Sequence, residues 1–136
     1  MSDDEPLIAY VRTVEGTVAI DIKDELVLGA ADEPMTERVE LNLPRVVAAS
    51  ASGSSVVAVV DRRPPLLVSG DAGATWREAG GGLPPGFAVA IDPDDPDRVL
   101  YAARNRLYLS TDGGRFWRGL EPELPDIEAV GWVTEP

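Results

Sequence analysis

One short phrase occurs twice in the sequence, as SGDAGATW beginning at Ser69 and as STDGGRFW beginning at Ser110. A Leu-Pro pair recurs at nearly the same interval, beginning at Leu43, Leu83 and Leu124. A weaker copy of the phrase, AADEPMTER at residues 30–38, keeps an Asp and a Thr but lacks the Gly and the Trp. A fixed period of about 40 residues indicates one small supersecondary unit repeated along the chain.

The Leu-Pro pairs divide a single domain of residues 1–136 into units of about 6–43, 44–83 and 84–124, followed by a tail at 125–136. In the second and third units, β-branched and aromatic residues fill short runs that Gly, Pro, Asp and Asn separate. The predicted strands are 45–51, 56–61, 66–69 and 75–78 in the second unit, and 87–91, 98–103, 106–109 and 116–119 in the third. Four short strands in a period of about 40 residues predict an all-β chain of propeller blades.

The repeated phrase is interpreted as a staple that closes a hairpin. An Asp side chain accepts hydrogen bonds from backbone N–H groups further along the turn, a Gly supplies positive φ, and a Ser caps the same turn. The Trp is predicted to begin the outgoing strand and to pack on the neighbouring blade. The residues in these structural roles are Ser69, Asp71, Gly73, Thr75 and Trp76 in the first copy, and Ser110, Asp112, Gly114 and Trp117 in the second.

Composition narrows the function classes. The chain has 136 residues, 44% of them hydrophobic, which is enough for a folded core. A net charge of −12 with Lys23 as the single lysine argues against nucleic acid or an anionic membrane as partner. The acidic opening MSDDEP and the lack of a long apolar run predict no signal peptide and no membrane insertion, so the cytoplasm is the default expectation. Because His and Cys are absent, imidazole and thiolate chemistry is excluded, and we expect no catalytic residues, no cofactor and no metal.

The phrase resembles the Asp-box, or BNR repeat, whose pattern is SxDxGxTW. SGDAGATW fits every defined position, whereas STDGGRFW has Phe116 in place of Thr. The segment AIDPDDPDRVLYAARNRLYLSTDGG is similar to the blade consensus of the same propellers. The resemblance covers the second and third units and implies a β-propeller of the WD40/YVTN/BNR-like kind. It also implies that the Asp-box residues are structural and lie away from any catalytic mouth.

Three blades are too few to close a propeller ring, which usually holds 4 to 8. The tail IEAVGWV reads as one further inner strand that pairs with another blade. In an alternative frame, residues 7–12 are the second strand of a blade and residues 131–133 supply its first strand. Either frame leaves complementary unfinished ends, which predicts a head-to-tail homodimer forming one six-bladed ring, each C-terminal strand closing the blade begun by the other copy. The alternatives are a piece of a longer protein and an open arc that docks on another protein.

Other residues carry weaker signals for function. Trp132 is a candidate anchor at the oligomer junction, with a core position as the alternative. The acidic loop at 92–97 is interpreted as a stiff Asp-Pro turn in preference to a calcium site. No spacing singles out a sugar-binding set among the arginines and tyrosines, including Arg104, Arg106 and Tyr108. The first functional hypothesis is therefore a non-catalytic interaction module. The alternatives are a glycan-binding or glycoside-hydrolase-like propeller or a remnant of one, with carbohydrate as the partner, and an assembly factor.

Overall fold

In a computed structural model, the protein is described over residues 7–32 and 45–133, and this part of the chain is all-β, with no helix. The Leu-Pro pair at Leu43 and most of the weak copy at 30–38 lie outside the described residues. The twelve strands are β1 (Ile8–Thr13), β2 (Gly16–Asp21), β3 (Leu26–Ala30), β4 (Val46–Ser52), β5 (Ser55–Val60), β6 (Leu66–Ser69), β7 (Arg77–Ala79), β8 (Ala88–Asp92), β9 (Asp95–Ala102), β10 (Arg106–Ser110), β11 (Arg118–Glu123) and β12 (Ile127–Trp132).

The strands form three four-stranded antiparallel sheets, as the predicted propeller fold requires. Sheet I has the order β12-β1-β2-β3, sheet II the order β4-β5-β6-β7 and sheet III the order β8-β9-β10-β11. The tail therefore supplies the inner strand of sheet I, where it pairs with β1 of the same chain. This is the pairing that the alternative frame predicts. The twelve strands of the described residues thus fill the three sheets, four in each.

Sheet III lies between the other two. One face of it presents Ala88, Ala90 and Leu100 to a core shared with sheet I. The opposite face presents Val89, Ile91 and other side chains to a core shared with sheet II. This alternation follows from the period of two along a strand, which sends successive side chains to opposite faces. The inner strand β8 lies between the inner strands β4 and β12. Among the described residues, no strand of sheet I packs extensively against a strand of sheet II.

The last strand of sheets II and III begins later than predicted. Thr75 and Phe116 were expected in strands, but β7 starts at Arg77 and β11 at Arg118. The Trp of each phrase therefore precedes the strand, and the prediction that it begins the outgoing strand is wrong in this detail. The reason is that the backbone N–H groups of Thr75 and Phe116 are held by the Asp of the same turn, so these residues do not join the ladder.

Candidate functional site

The first repeated turn is closed by a Ser and an Asp. The Ser69 hydroxyl donates to Asp71 Oδ1 at 2.7 Å and accepts from the Gly73 backbone N–H at 2.8 Å. Asp71 accepts two further hydrogen bonds, from the backbone N–H of Thr75 to Oδ1 at 2.8 Å and from its hydroxyl to Oδ2 at 2.6 Å. These donors, led by the Thr75 hydroxyl, lower the pKa of Asp71 to about 2. Gly73 has a φ of 90°, the conformation in which a side chain is strained.

The second repeated turn has the same construction, but the Arg115 N–H donates to Asp112 Oδ1 at 3.1 Å where the first turn has the Thr75 hydroxyl. Ser110 donates to Asp112 Oδ1 at 2.8 Å and accepts from the Gly114 N–H at 2.9 Å. The backbone of Phe116 donates to Asp112 at 3.0 Å, but its side chain is 79% exposed and offers no hydroxyl. The Phe116 hydrogen bond is the main cause of the lowered pKa of Asp112. The structure thus places the Ser, Asp and Gly of both copies in turn-closing contacts.

The second turn also links two sheets. Arg77 of sheet II donates through Nη2 to the Gly113 carbonyl at 2.7 Å. The Trp117 indole N–H donates back to the Gly114 carbonyl at 2.9 Å, and its ring packs edge-on against Tyr101 with the centroids 5.8 Å apart. Trp117 is one of the partly buried residues packed against the core between sheets II and III. The second turn thus contacts sheet II through Gly113 and the core between sheets II and III through Trp117.

The junction of β1 and β12 joins the two ends of the described chain. The strands pair antiparallel, with Val11 opposite Val130. Backbone bonds extend the ladder at both ends, from the Val14 N–H to the Asp126 carbonyl at 3.0 Å and from the Val133 N–H to the Ile8 carbonyl at 2.9 Å. An ion pair crosses the junction between Arg12 Nε and Glu128 Oε1 at 3.3 Å.

Trp132 lies at the end of this junction and is 8% exposed. Its indole N–H donates to the Ala90 carbonyl of β8 at 3.0 Å, and its ring belongs to the core between sheets I and III. Ala9 of β1 lies directly opposite it in the ladder. Trp132 therefore has a core position that ties β12 to sheet III, next to the β1–β12 pairing.

Sheets I and II each have a second face that does not face sheet III. On sheet II it carries Val56, Ala58 and Val60, which are buried but belong to neither of the described cores. On sheet I it carries Tyr10 and Ala19, which lie opposite each other and are half-buried. Sheet II is therefore apolar on both faces, whereas the second face of sheet I also carries Arg12 opposite Thr17.

The arginines and tyrosines considered for sugar chemistry do not converge. Arg104 pairs with Asp126 at 3.2 Å, whereas Arg106 donates to the Leu120 carbonyl at 2.7 Å and lies 6.0 Å from the centre of the Tyr108 ring. Tyr101 is fully buried and donates its hydroxyl to the Pro84 carbonyl at 2.5 Å. Burial is the main reason why its pKa is raised.

A cleft of about 230 Å³ lies at one end of sheet II, and the described residues of its lining include one carboxylate, Asp61. The residues that line it are Val47, Val60, Asp61, Arg62, Arg63, Pro65, Leu83, Pro85 and Gly86. Among these described residues, no second carboxylate pairs with Asp61 as glycoside hydrolysis requires.

The acidic loop at 92–97 is closed by its own contacts. Asp92 is 3% exposed and accepts from the Asp94 N–H at 2.9 Å and from Arg98 Nη1 at 2.8 Å. Within the described residues, no group of three or more acidic side chains is arranged to hold a metal ion. The loop has the contacts of an Asp turn.

Two contacts between sheets had no signal in the sequence. Glu25, in the turn between β2 and β3, accepts from the Glu121 N–H at 2.7 Å and from Arg118 Nη1 at 2.8 Å. The backbone hydrogen bond and then the Arg118 guanidinium lower the pKa of the Glu25 carboxyl. The Ser50 hydroxyl of β4 accepts from the Ile91 N–H of β8 at 2.9 Å. Residues so far apart in the chain carry no shared local pattern, so only the folded arrangement identifies these pairs.

The comparisons with known proteins are sparse. No protein-family model matches the sequence, and no curated protein matches it. Among solved structures, the chain is similar to the GH74 enzyme of Niastella koreensis, with 21% sequence identity and a TM-score of 0.45. The match covers 85% of this chain and 18% of that enzyme, so this chain spans about a fifth of the length of the protein it resembles. No helix of the described residues is long and apolar enough to cross a membrane.

Proposed function

We propose that the protein is a non-catalytic β-propeller interaction module whose first partner is a second copy of itself, the two copies closing one six-bladed ring. The observation that carries the proposal is the position of sheet III. It is covered on both faces, whereas sheets I and II each pack against it with one face only. A three-sheet arc of this kind has two complementary ends.

The two ends differ in a way that suits head-to-tail contact. The second face of sheet II carries small apolar side chains, among them Ala49 of β4, which is half-buried and lies opposite Ala58. The second face of sheet I presents Tyr10 beside Ala19. Face-to-face packing of the two would repeat the arrangement already present on both sides of sheet III. Six sheets fall within the usual range for a closed propeller, and closure leaves no sheet with a free face.

Light scattering coupled to size-exclusion chromatography tests the proposal. One chain has a mass of 14.5 kDa, and we expect the unmodified protein to show twice that mass. Ala19→Glu places a charge on the second face of sheet I, and we expect it to return the mass to that of one chain while circular dichroism still reports β-structure. Val14→Glu is the matched control, because Val14 is 61% exposed in the turn next to the same strand, and it should leave the dimer intact.

A single-chain mass for the unmodified protein over the whole micromolar range overturns the proposal. That result would favour the other occupants of the open ends, which are a different protein or the remainder of a longer chain. A dimer that survives Ala19→Glu would also contradict it, because the copies would then meet through some other surface.

A further inference from the structure

We infer that the two copies exchange strands, so that β1, β2 and β3 of one copy complete sheet I on β12 of the other. This inference rests on the proposed ring and specifies how it closes. It starts from the connections between sheets. Residues 80–87 join β7 to β8, and residues 124–126 join β11 to β12, so both connections are short. Both lead from the outer strand of one sheet to the inner strand of the adjacent sheet.

The third connection breaks this rule within one chain. It leads from β3, the outer strand of sheet I, to β4, the inner strand of sheet II. In the single chain, sheets I and II lie on opposite faces of sheet III. Consecutive elements are usually adjacent in space and joined by short connections. Within one chain, the connection from β3 to β4 is therefore unusual, because it joins two sheets that are not adjacent.

Strand exchange removes the exception. When β12 of the neighbouring copy receives β1, sheet I moves from the far side of sheet III to the second face of sheet II of its own chain. The connection from β3 to β4 then joins adjacent sheets, like the other two. Every contact of the junction is kept, since the pairing of β1 with β12, the Arg12 to Glu128 ion pair and the Trp132 contact with Ala9 form equally well between copies. Exchange of an identical element is a low-cost route to a dimer for this reason.

A pair of cysteines across the junction distinguishes the two arrangements. The bond from the Val133 N–H to the Ile8 carbonyl fixes the hydrogen-bonded positions, so Val11 and Val130 form a non-hydrogen-bonded pair, the kind in which side chains are closer. The chain has no native cysteine, so Val11→Cys with Val130→Cys gives one possible disulfide per junction. Ile8→Cys with Asp21→Cys is the matched control, because those residues face each other on β1 and β2 of the same copy in both arrangements.

After oxidation, a denaturing non-reducing gel should show the junction variant as a covalent dimer and the control as a single chain. A junction variant that migrates as a single chain, while its native mass remains twice the 14.5 kDa of one chain, overturns the exchange and leaves the ring standing. A native mass of one chain overturns the ring itself, and the exchange with it. The two failures are therefore told apart by the same sample.

Charge reversal gives a second measurement that needs no disulfide. The R12E and E128R chains each place like charges across their own junction, because Arg12 faces Glu128. In an exchanged ring of one copy of each, one junction regains opposite charges in reversed order and the other keeps the native pair. We expect native mass spectrometry of the two chains refolded together to show the mixed dimer above its random share. A random share contradicts the exchange, since a ring without exchange leaves both mismatches in place whichever copies combine.

Discussion

Gly86→Ala tests the packing that holds sheet III to the rest of the molecule. Gly86 lies in the connection between β7 and β8, directly against the fully buried side chain of Tyr101. A Cβ atom built on Gly86 would overlap the ring and the hydroxyl of Tyr101. The φ of Gly86 is not positive, so the substitution adds a steric conflict without adding backbone strain.

Tyr101 has little freedom to move aside. Its hydroxyl donates to the Pro84 carbonyl at 2.5 Å, and its ring makes edge contacts with Tyr108 and Trp117 at centroid distances of 6.3 and 5.8 Å. Any shift that relieves the overlap with an alanine at position 86 breaks the hydrogen bond or disturbs both ring contacts. The tyrosine therefore transmits the conflict to the core between sheets II and III.

The magnitude follows from three contributions to the free energy of unfolding. Overpacking in a well-packed core costs about 1–3 kcal/mol. Loss of the Tyr101 hydrogen bond adds about 0.5–1.5 kcal/mol. Replacing glycine restricts the unfolded chain, and this raises the free energy of unfolding by about 0.4–1 kcal/mol. We therefore expect Gly86→Ala to lower the free energy of unfolding by about 2–3 kcal/mol, and Tyr101→Phe alone by about 1 kcal/mol.

Urea unfolding followed by tryptophan fluorescence measures this, at one fixed protein concentration because the chain is proposed to dimerise. Gly81→Ala is the matched control, since a Cβ on Gly81 meets no atom within 4 Å and its φ is not positive. We expect the control to be unchanged or slightly more stable. If Gly86→Ala is as stable as Gly81→Ala, Tyr101 does not pack on Gly86 and the reasoning is refuted. In the Tyr101→Phe background, Gly86→Ala should cost less, because part of the overlap is gone.

Three further predictions concern the turns and the junction. Asp71→Asn should destabilise the protein at neutral pH. Because the pKa of Asp71 is lowered, the stabilisation is present only while the carboxylate is charged. In an acid unfolding series, the difference in stability from the unmodified chain should therefore vanish as the pH falls from 3.8 to about 2. Phe116→Thr should raise the melting temperature and lower the pKa of Asp112 in NMR titration, by supplying the hydroxyl that Thr75 provides in the first turn. Trp132→Phe, which keeps an aromatic ring but removes the hydrogen bond to Ala90, should lower the free energy of unfolding in urea by about 1 kcal/mol.

The sequence predicts the sheets well because each sheet is specified locally. The turn residues Ser69 and Asp71, and their counterparts in the second copy, lie within a few positions of the atoms they contact. The alternation of apolar residues then assigns the strands on either side. β6 was predicted with its observed bounds, whereas β7 and β11 begin later, because the reach of the Asp side chain sets where the turn ends.

The sequence predicts the contacts between sheets poorly, for an equally physical reason. Glu25 and Arg118 lie 93 positions apart, and nothing near either residue identifies the other. Gly86 stands in a run of prolines and glycines that reads as an ordinary loop, and only the folded chain places it against Tyr101. The inner strands β8 and β12 are both short and apolar, so their sequences do not identify the strand with which each one pairs. That partner depends on how the ring closes.

The same consideration explains why the junction is the part of the molecule on which the proposed function depends. Ser69 and Ser110 in the repeated turns, and Asp92 in the acidic loop, accept hydrogen bonds from backbone groups of their own turns. The β1–β12 pairing has the same register and contacts within a chain or between chains, and it therefore cannot by itself decide between a folded single chain and an exchanged ring. The balance is set outside the junction. The order of the sheets favours the ring, because in the ring the connection from β3 to β4 joins adjacent sheets, as the other two connections do.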